Sequence, residues 1–189
     1  MINNTLTDTV ERETKIEAPT QVTRLQEAAE TIRDNALSAA RSRLPVRQQD
    51  AALEELLQLP VFLNSFKYGL AEGVTNVIVA NDGNVQAVYH FEESTNPDSE
   101  TEEAMAVDMS VHLLLLVDSN SAALNAFIES LDGTLTGLVR ELPSPLLANH
   151  TSIINVIPIT QEDVDNRRGY GALLSSMFAR PVKLWARKK

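Results

Sequence analysis

One stretch of the chain, residues 109–117 (MSVHLLLLV), constrains the fold more than any other. In a β-strand, successive side chains point to opposite faces of the sheet, and here apolar residues occupy both sets of alternating positions. A strand that is apolar on both faces belongs in the middle of a sheet. The stretch therefore predicts a central β-strand, and the rest of the chain must supply neighbouring strands and covering helices.

The composition supports one domain of ordinary size and excludes several classes of protein. With 43% hydrophobic residues among 189, the chain can bury a core and is not a disordered polymer. No apolar run approaches the roughly 18 residues of a membrane span, and the first residues lack the apolar centre of a secretory signal, so we expect a cytoplasmic protein. The absence of Cys excludes disulfides, a thiolate nucleophile and Cys-ligated metal sites.

The N-terminal part is predicted to be helical after a flexible arm at residues 1–19. Apolar residues recur at helical spacing over residues 20–44, which form one long amphipathic helix that ends before Pro45. Its many alanines favour close approach to another helix, in the same domain or in a neighbouring subunit. A second, shorter helical segment is predicted at residues 46–59.

Residues 61–80 permit two interpretations. Their apolar residues keep a helical period over about four turns, whereas the following Asp82-Gly83 is also typical of a hairpin turn. We favour the helix, because a hairpin would leave part of the apolar pattern without a secondary-structure element. The helical anchors are Phe62, Phe66, Leu70, Val74 and Ile78.

The second half of the chain alternates strands and helices. In Val85–Phe91, alternation puts Ala87, Tyr89 and Phe91 on one face. Pro158 should lie near the end of its strand or on a sheet edge, because proline cannot donate to a strand ladder. The further predictions are an acidic surface loop at 92–107, a helix at 122–142, a strand at 152–159, a helix at 163–178 and a short edge strand at 181–185.

These elements predict an α+β fold, in which a small mixed β-sheet is covered by helices and preceded by an N-terminal helical segment. We expect a single domain over residues 20–186. Within it, residues 20–80 are helical and residues 85–186 follow the order β-β-α-β-α. Residues 187–189 form a basic tail.

Charge is strongly segregated along a chain whose net charge is −10. Twelve acidic residues and no Lys or Arg lie between Lys67 and Arg140, whereas the last 24 residues carry seven Lys or Arg and no acid. We expect the basic end to dock on the acidic middle, either within one subunit or on a neighbour in a homo-oligomer. The alternative is an acidic surface that serves solubility, with a frayed tail. An acidic body repels phosphate backbones, which argues against a nucleic-acid partner.

Two histidines fall on successive predicted strands. His90 shares a strand face with Glu92, and His112 shares one with Asp108 and Ser110. If the two faces coincide, His90, His112 and Asp108 could hold a divalent metal ion. The alternative is a pair of hydrogen-bonded strand histidines that never meet.

The element order after residue 85 resembles the minimal nucleotidyltransferase fold. The resemblance rests on VQAVYHFEES, a spacer of 13 residues, DMSVHLLLLVD, a helix, SIINVIPIT and a final helix. In that family a strand leads to a Gly-Ser pair, the next strand carries two carboxylates one residue apart, and a third often lies on a later strand. These carboxylates hold paired Mg²⁺ ions against a nucleoside triphosphate. The resemblance implies that Ser94 matches the serine and Asp108 the first carboxylate.

The remaining positions depart from the family's pattern. Glu93 replaces the glycine, Ser110 replaces the second carboxylate, and Asn155 stands where the third is expected. A single aspartate cannot hold two metal ions. The cations that could offset a triphosphate are Arg167 and Arg168, at the last predicted helix.

Two functions are compatible with these features. The leading hypothesis is a non-catalytic, nucleotidyltransferase-like module that acts through protein–protein contacts or self-assembly and needs no cofactor. The alternative is a divalent-metal-dependent nucleotidyltransferase with an atypical site, in which Ser94, Asp108 and Ser110 are the candidate catalytic residues and Mg²⁺ is the cofactor. A metal-binding protein without nucleotide transfer would use the same residues.

Overall fold

The computed structural model of the chain describes residues 21–92, 109–176 and 181–188, and it has the predicted α+β architecture. Helices precede a four-stranded mixed sheet. The strands are β1 (Val85–Phe91), β2 (Val111–Val117), β3 (Ile154–Thr160) and β4 (Val182–Ala186). The helices are α1 (Gln21–Ser42), α2 (Val46–Gln49), α3 (Leu53–Leu56), α4 (Pro60–Asn81), α5 (Ala122–Arg140), α6 (Pro145–Ala148) and α7 (Gln161–Asp165), and a 3₁₀ helix spans Gly169–Ser175.

The sheet has the order β3-β2-β1-β4, so β2 lies in its interior, as the apolar pattern predicted. β1 pairs antiparallel with both β2 and β4, and β2 pairs parallel with β3. Tyr89 and Leu114 are register partners at the centre. Pro158 lies on the edge strand β3, where its missing N–H removes no bond to an outer neighbour.

One face of the sheet, here called the helical face, is covered by long helices. α4 packs on β1, β2 and β4, α5 packs on β3, and α1 packs on both helices. The approach of α1 to α4 is close, because a Cβ built at Gly69 would lie 2.8 Å from the Cα of Ala36. The core between these layers includes Phe62, Phe66, Leu70, Val88, Leu113 and Leu115, all nearly inaccessible to solvent.

The opposite face, here called the second face, has a smaller apolar cluster. Phe91, Leu114 and Ile159 form its buried centre. α7 and the 3₁₀ helix cover part of it, and they meet so closely that a Cβ built at Gly171 would lie 2.5 Å from the carbonyl oxygen of Asp163.

Most of the described helices begin close to the residue predicted from the sequence, but two predicted helices have the wrong length. Residues 61–80 are helical, and the Ser121 Oγ caps α5 by accepting from the Leu124 N–H at 3.1 Å. The predicted helix at 163–178 is wrong: α7 ends at Asp165, because Arg167 has φ 51° and cannot continue a right-handed helix. The segment 46–59 is divided into the two short helices α2 and α3.

Several predictions lie outside the described residues. They are the arm at 1–19, nearly all of the loop at 92–107, and the last residue of the basic tail. Within the described ranges, none of the helices combines the length and the apolar character that crossing a membrane requires.

Candidate functional site

The structure brings His112 and Asn155 together on the second face. They are register partners in the parallel pair of β2 and β3, and the Asn155 Nδ2 donates to the His112 Nδ1 at 3.1 Å. The His112 ring is 5% exposed and packs against Phe91 at 5.4 Å between centroids. Ser110 directly precedes β2, so strand alternation places it toward the same face.

His90 lies on the helical face, so the structure does not bring it beside His112. It is the register partner of Leu113, while its neighbour Phe91 is the partner of His112. The His90 ring meets Tyr68 of α4 edge-on at 6.2 Å. Burial lowers the pKa of His90, and the charge of Lys67 lowers it further. His90 is therefore a core histidine whose neutral form is favoured.

This geometry separates the two histidines of the predicted metal site. The condition for the set was a common face for the two histidines, and that condition is not met. Asp108 and Ser94 lie outside the described residues, so their roles stay predictions. Across residues 21–92, 109–176 and 181–188, no three His, Asp or Glu side chains are grouped closely enough to hold a metal ion.

Arg167 and Arg168 lie in the turn between α7 and the 3₁₀ helix, and both are exposed. Arg168 forms an exposed ion pair with Glu162, with 3.7 Å between Nη1 and Oε1. Exposed pairs of this kind contribute little to stability. The two arginines remain accessible cations at the border of the second face.

The basic end of the chain is placed on the acidic middle by strand pairing. β4 pairs with β1, the Arg187 N–H donates to the Gln86 carbonyl at 2.9 Å, and the Lys183 Nζ lies 5.6 Å from the centre of the Tyr89 ring. The basic end therefore pairs with the sheet within one chain, but β1 contains no acidic residue, and docking driven by charge stays a prediction. β4 occupies an edge of the sheet, and its Val182 side chain is 54% exposed.

Sequence reasoning missed a cavity at the opposite end of β2 from His112. It opens beyond the carboxyl ends of β2 and β3, next to the end of β4, and has a volume of about 630 Å³. Its polar lining includes Asp118, directly after β2, and Thr160, the last residue of β3. The available signal was their position after two apolar runs, since ligands often bind beyond the carboxyl ends of parallel strands.

Comparison with known proteins gave no relative for this chain. No family model, no curated protein and no solved structure matches it. The resemblance to nucleotidyltransferases is therefore still a prediction from element order and motif position.

Proposed function

We propose that the chain is a non-catalytic protein-contact module of nucleotidyltransferase-like type, which binds an acidic, extended segment of a protein partner along the outer edge of β4. The observation that carries the proposal is the position of β4, a basic strand at the edge of the sheet of an acidic protein. Extended peptides can add to an exposed sheet edge, where main-chain hydrogen bonds supply affinity and side chains supply specificity.

The two sheet edges differ in their capacity for such addition. At the β3 edge, Pro158 interrupts the N–H groups that an added strand would need. β4 contains no proline, and it exposes Val182 and Lys183. A partner strand is therefore better accommodated at β4 than at β3.

The positive charges on and after β4 favour a partner of opposite charge. Lys183, Arg187 and Lys188 are exposed on or directly after β4. Two copies of β4 placed side by side would bring like charges together, whereas an acidic segment would be attracted. A second copy of the chain can supply such a segment, because residues 93–108 contain six acidic residues and no Lys or Arg. Self-assembly is one form of the proposed activity.

The non-catalytic part of the proposal is supported by the residues at the family's carboxylate positions. Ser110 and Asn155 cannot supply negative charge to a metal ion, and the Asn155 side chain is hydrogen-bonded to His112. A neutral, internally paired surface is better suited to packing than to holding Mg²⁺.

The proposal can be tested with a labelled peptide of residues 92–108, which contains seven acidic residues. We expect fluorescence anisotropy to show saturable binding to the full chain, weakened by salt because exposed charges are screened. Lys183→Glu should weaken binding about tenfold, as expected for the reversal of one central charge contact. In amide NMR spectra, the shifts should centre on Val182–Ala186.

Two controls make the result decisive. A peptide with every Asp and Glu replaced by Asn and Gln should bind poorly, and Arg47→Glu, the same charge change on the exposed surface of α2, should leave binding intact. Equal binding of both peptides, or equal loss in both variants, would refute a charge-selected site on β4. Calorimetry with ATP and Mg²⁺ tests the alternative: binding that Asp108→Asn abolishes would establish a nucleotide site and refute the non-catalytic proposal.

A further inference from the structure

The cavity at the carboxyl ends of β2 and β3 has a built polar wall on the side of β1. The pairing of β1 with β2 shifts register between Val85 and Ala87, which makes Gln86 the extra residue of a β-bulge. Bulges re-aim side chains and occur often beside functional sites. Here the Gln86 Nε2 donates to the Asp118 Oδ2 at 2.7 Å, and the Gln86 carbonyl accepts from the Arg187 N–H at 2.9 Å. The bulge thus links an acidic and a basic part of the lining.

Two carboxylates line this cavity. Asp118, directly after β2, uses one carboxylate oxygen for Gln86 and retains the other. Glu162, in α7, adds a second exposed carboxylate, whose Oε1 also forms the exposed ion pair with Arg168. Thr160 is already occupied, because its hydroxyl donates to the Asp163 Oδ2 at 2.7 Å. The charged acceptors of the lining are therefore the carboxylates of Asp118 and Glu162.

Positive charge and apolar surface complete the lining. Arg187 and Lys188 follow β4 and are exposed, and neither side chain forms a hydrogen bond or ion pair with any described residue. The apolar part of the lining is formed by Leu116, Val117 and Ala186. A ligand in this cavity would meet both signs of charge as well as methyl-rich surface.

We propose that this cavity binds a small zwitterion, in which a protonated amine and a carboxylate are joined by an alkyl spacer. The amine faces Asp118 and Glu162, the carboxylate faces Arg187 and Lys188, and the spacer lies on Leu116. Small-molecule sites typically combine an apolar surface with a few polar groups that fix orientation.

Charge balance favours a zwitterion over a singly charged ligand. An anion alone would be attracted by the two cations and repelled by the two carboxylates of the same cavity, and a cation alone would meet the converse arrangement. A molecule that carries both charges can place its amine near the carboxylates and its carboxylate near the cations, so that neither end meets a like charge.

This site shares Arg187 and Lys188 with the proposed protein contact, but Asp118 belongs to the cavity alone and Lys183 to the protein contact alone. The partner segment would lie along the outer edge of β4, whereas the zwitterion contacts Asp118 and the end of β2. The variants that test the cavity leave Lys183 unchanged. Asp118→Asn therefore tests the cavity alone and Lys183→Glu tests the protein contact alone, so that failure of one proposal leaves the other standing.

The test uses the full chain, labelled with ¹⁵N, and a series of linear amino acids: glycine, β-alanine, γ-aminobutyrate and ε-aminocaproate. The singly charged controls are butyrate, hexanoate, butylamine and hexylamine. We expect at least one zwitterion to shift the amide signals of Gln86, Asp118, Gln161 and Arg187, and to bind about tenfold tighter than the carboxylate and the amine of matching length.

Variants distinguish the two ends of the site. Asp118→Asn keeps an oxygen that can accept from Gln86 but removes the charge, and Arg187→Gln removes the charge at the other end. Each exchange should lower the affinity for the zwitterion about tenfold. Glu129→Gln, an exposed charge change on α5, is the matched control and should have no effect. The proposal is overturned if no member of the series binds, if a singly charged analogue binds equally well, or if Glu129→Gln weakens binding as much as Asp118→Asn.

Discussion

The two faces of the sheet are stabilised in different ways. The helical face is covered by α1, α4 and α5, which have 22, 22 and 19 residues and enclose the main core. The second face is covered in part by α7, of five residues, and by a 3₁₀ helix of seven, and Tyr170 at its border is 41% exposed. The buried apolar area, and hence most of the stability, lies on the helical side.

Local hydrogen bonds at the start of α7 contribute to the cover of the second face. In the capping box of α7, the Thr160 N–H donates to the Asp163 Oδ2 at 2.9 Å, and the Asp163 N–H donates to the Thr160 Oγ1 at 3.2 Å. Hydrogen bonds from Thr160 lower the pKa of Asp163. A segment with few buried contacts can open without global unfolding. The comparison teaches that the helical face fixes the fold, whereas the second face and the sheet ends can vary to create binding sites.

The largest effect should come from Gly69→Ala, on the helical face. The new Cβ would lie 2.8 Å from the Ala36 Cα, a backbone atom that no side-chain rotation can move, so α1 and α4 must separate. We expect the free energy of unfolding to fall by about 2 kcal/mol, the usual range for overpacking. Urea denaturation monitored by circular dichroism measures this loss.

Gly137→Ala, in α5, is the matched control. Nothing lies within 4 Å of a Cβ built there. The exchange should therefore raise stability by up to about 1 kcal/mol, because alanine is the better helix former. Equal destabilisation by the two exchanges would show that close packing of α1 on α4 is not what Gly69 supplies.

A smaller global effect is expected from Gly171→Ala, on the second face. The clash is more severe, with the new Cβ 2.5 Å from the Asp163 carbonyl oxygen, but it can be relieved by lifting the 3₁₀ helix from α7. We expect faster hydrogen exchange of the Gly171 and Ser176 amides, unchanged exchange at Leu113, and a loss of less than about 1 kcal/mol in global stability.

Gly83→Ala is the control for this experiment, because nothing lies within 4 Å of a Cβ at that position. It should leave all of these exchange rates unchanged. If Gly171→Ala accelerated exchange at Leu113 as much as at Ser176, the two faces would unfold together, and the contrast between them would be lost.

The two faces also differ in how well their structure could be predicted from the sequence. The helical face was predicted well: the anchors from Phe62 to Ile78 have a helical period, and all are buried in α4. The apolar pattern also placed β2 in the interior of the sheet. Long periodic segments carry this information because burial of one face repeats along the whole element.

The second face was predicted less well because its structure depends on single residues. The positive φ of Arg167 ends the helix expected at 163–178, and no periodic pattern reports it. Strand alternation places His90 and His112 each on a face of its own strand, but only the observed register shows that the faces are opposite. The cavity depends on a bulge at Gln86, which the sequence does not mark by a glycine or proline.

The last effect expected is a pH dependence of stability that arises from His90, the strand histidine on the helical face. Burial and Lys67 lower the pKa of His90, so protonation favours the unfolded chain, in which the pKa is near 6.5. Stability from this group is complete above that value and is lost as the pH falls toward the folded pKa, at no more than about 1.4 kcal/mol per pH unit. Urea denaturation at pH 7.5 and 5.5 should show this loss of stability, and His90→Gln should reduce it.

His150→Gln, in a partly exposed position before β3, is the control and should keep the full pH dependence of stability. If His90→Gln preserved the entire pH dependence, the helical face would not be the place where acid acts on this fold.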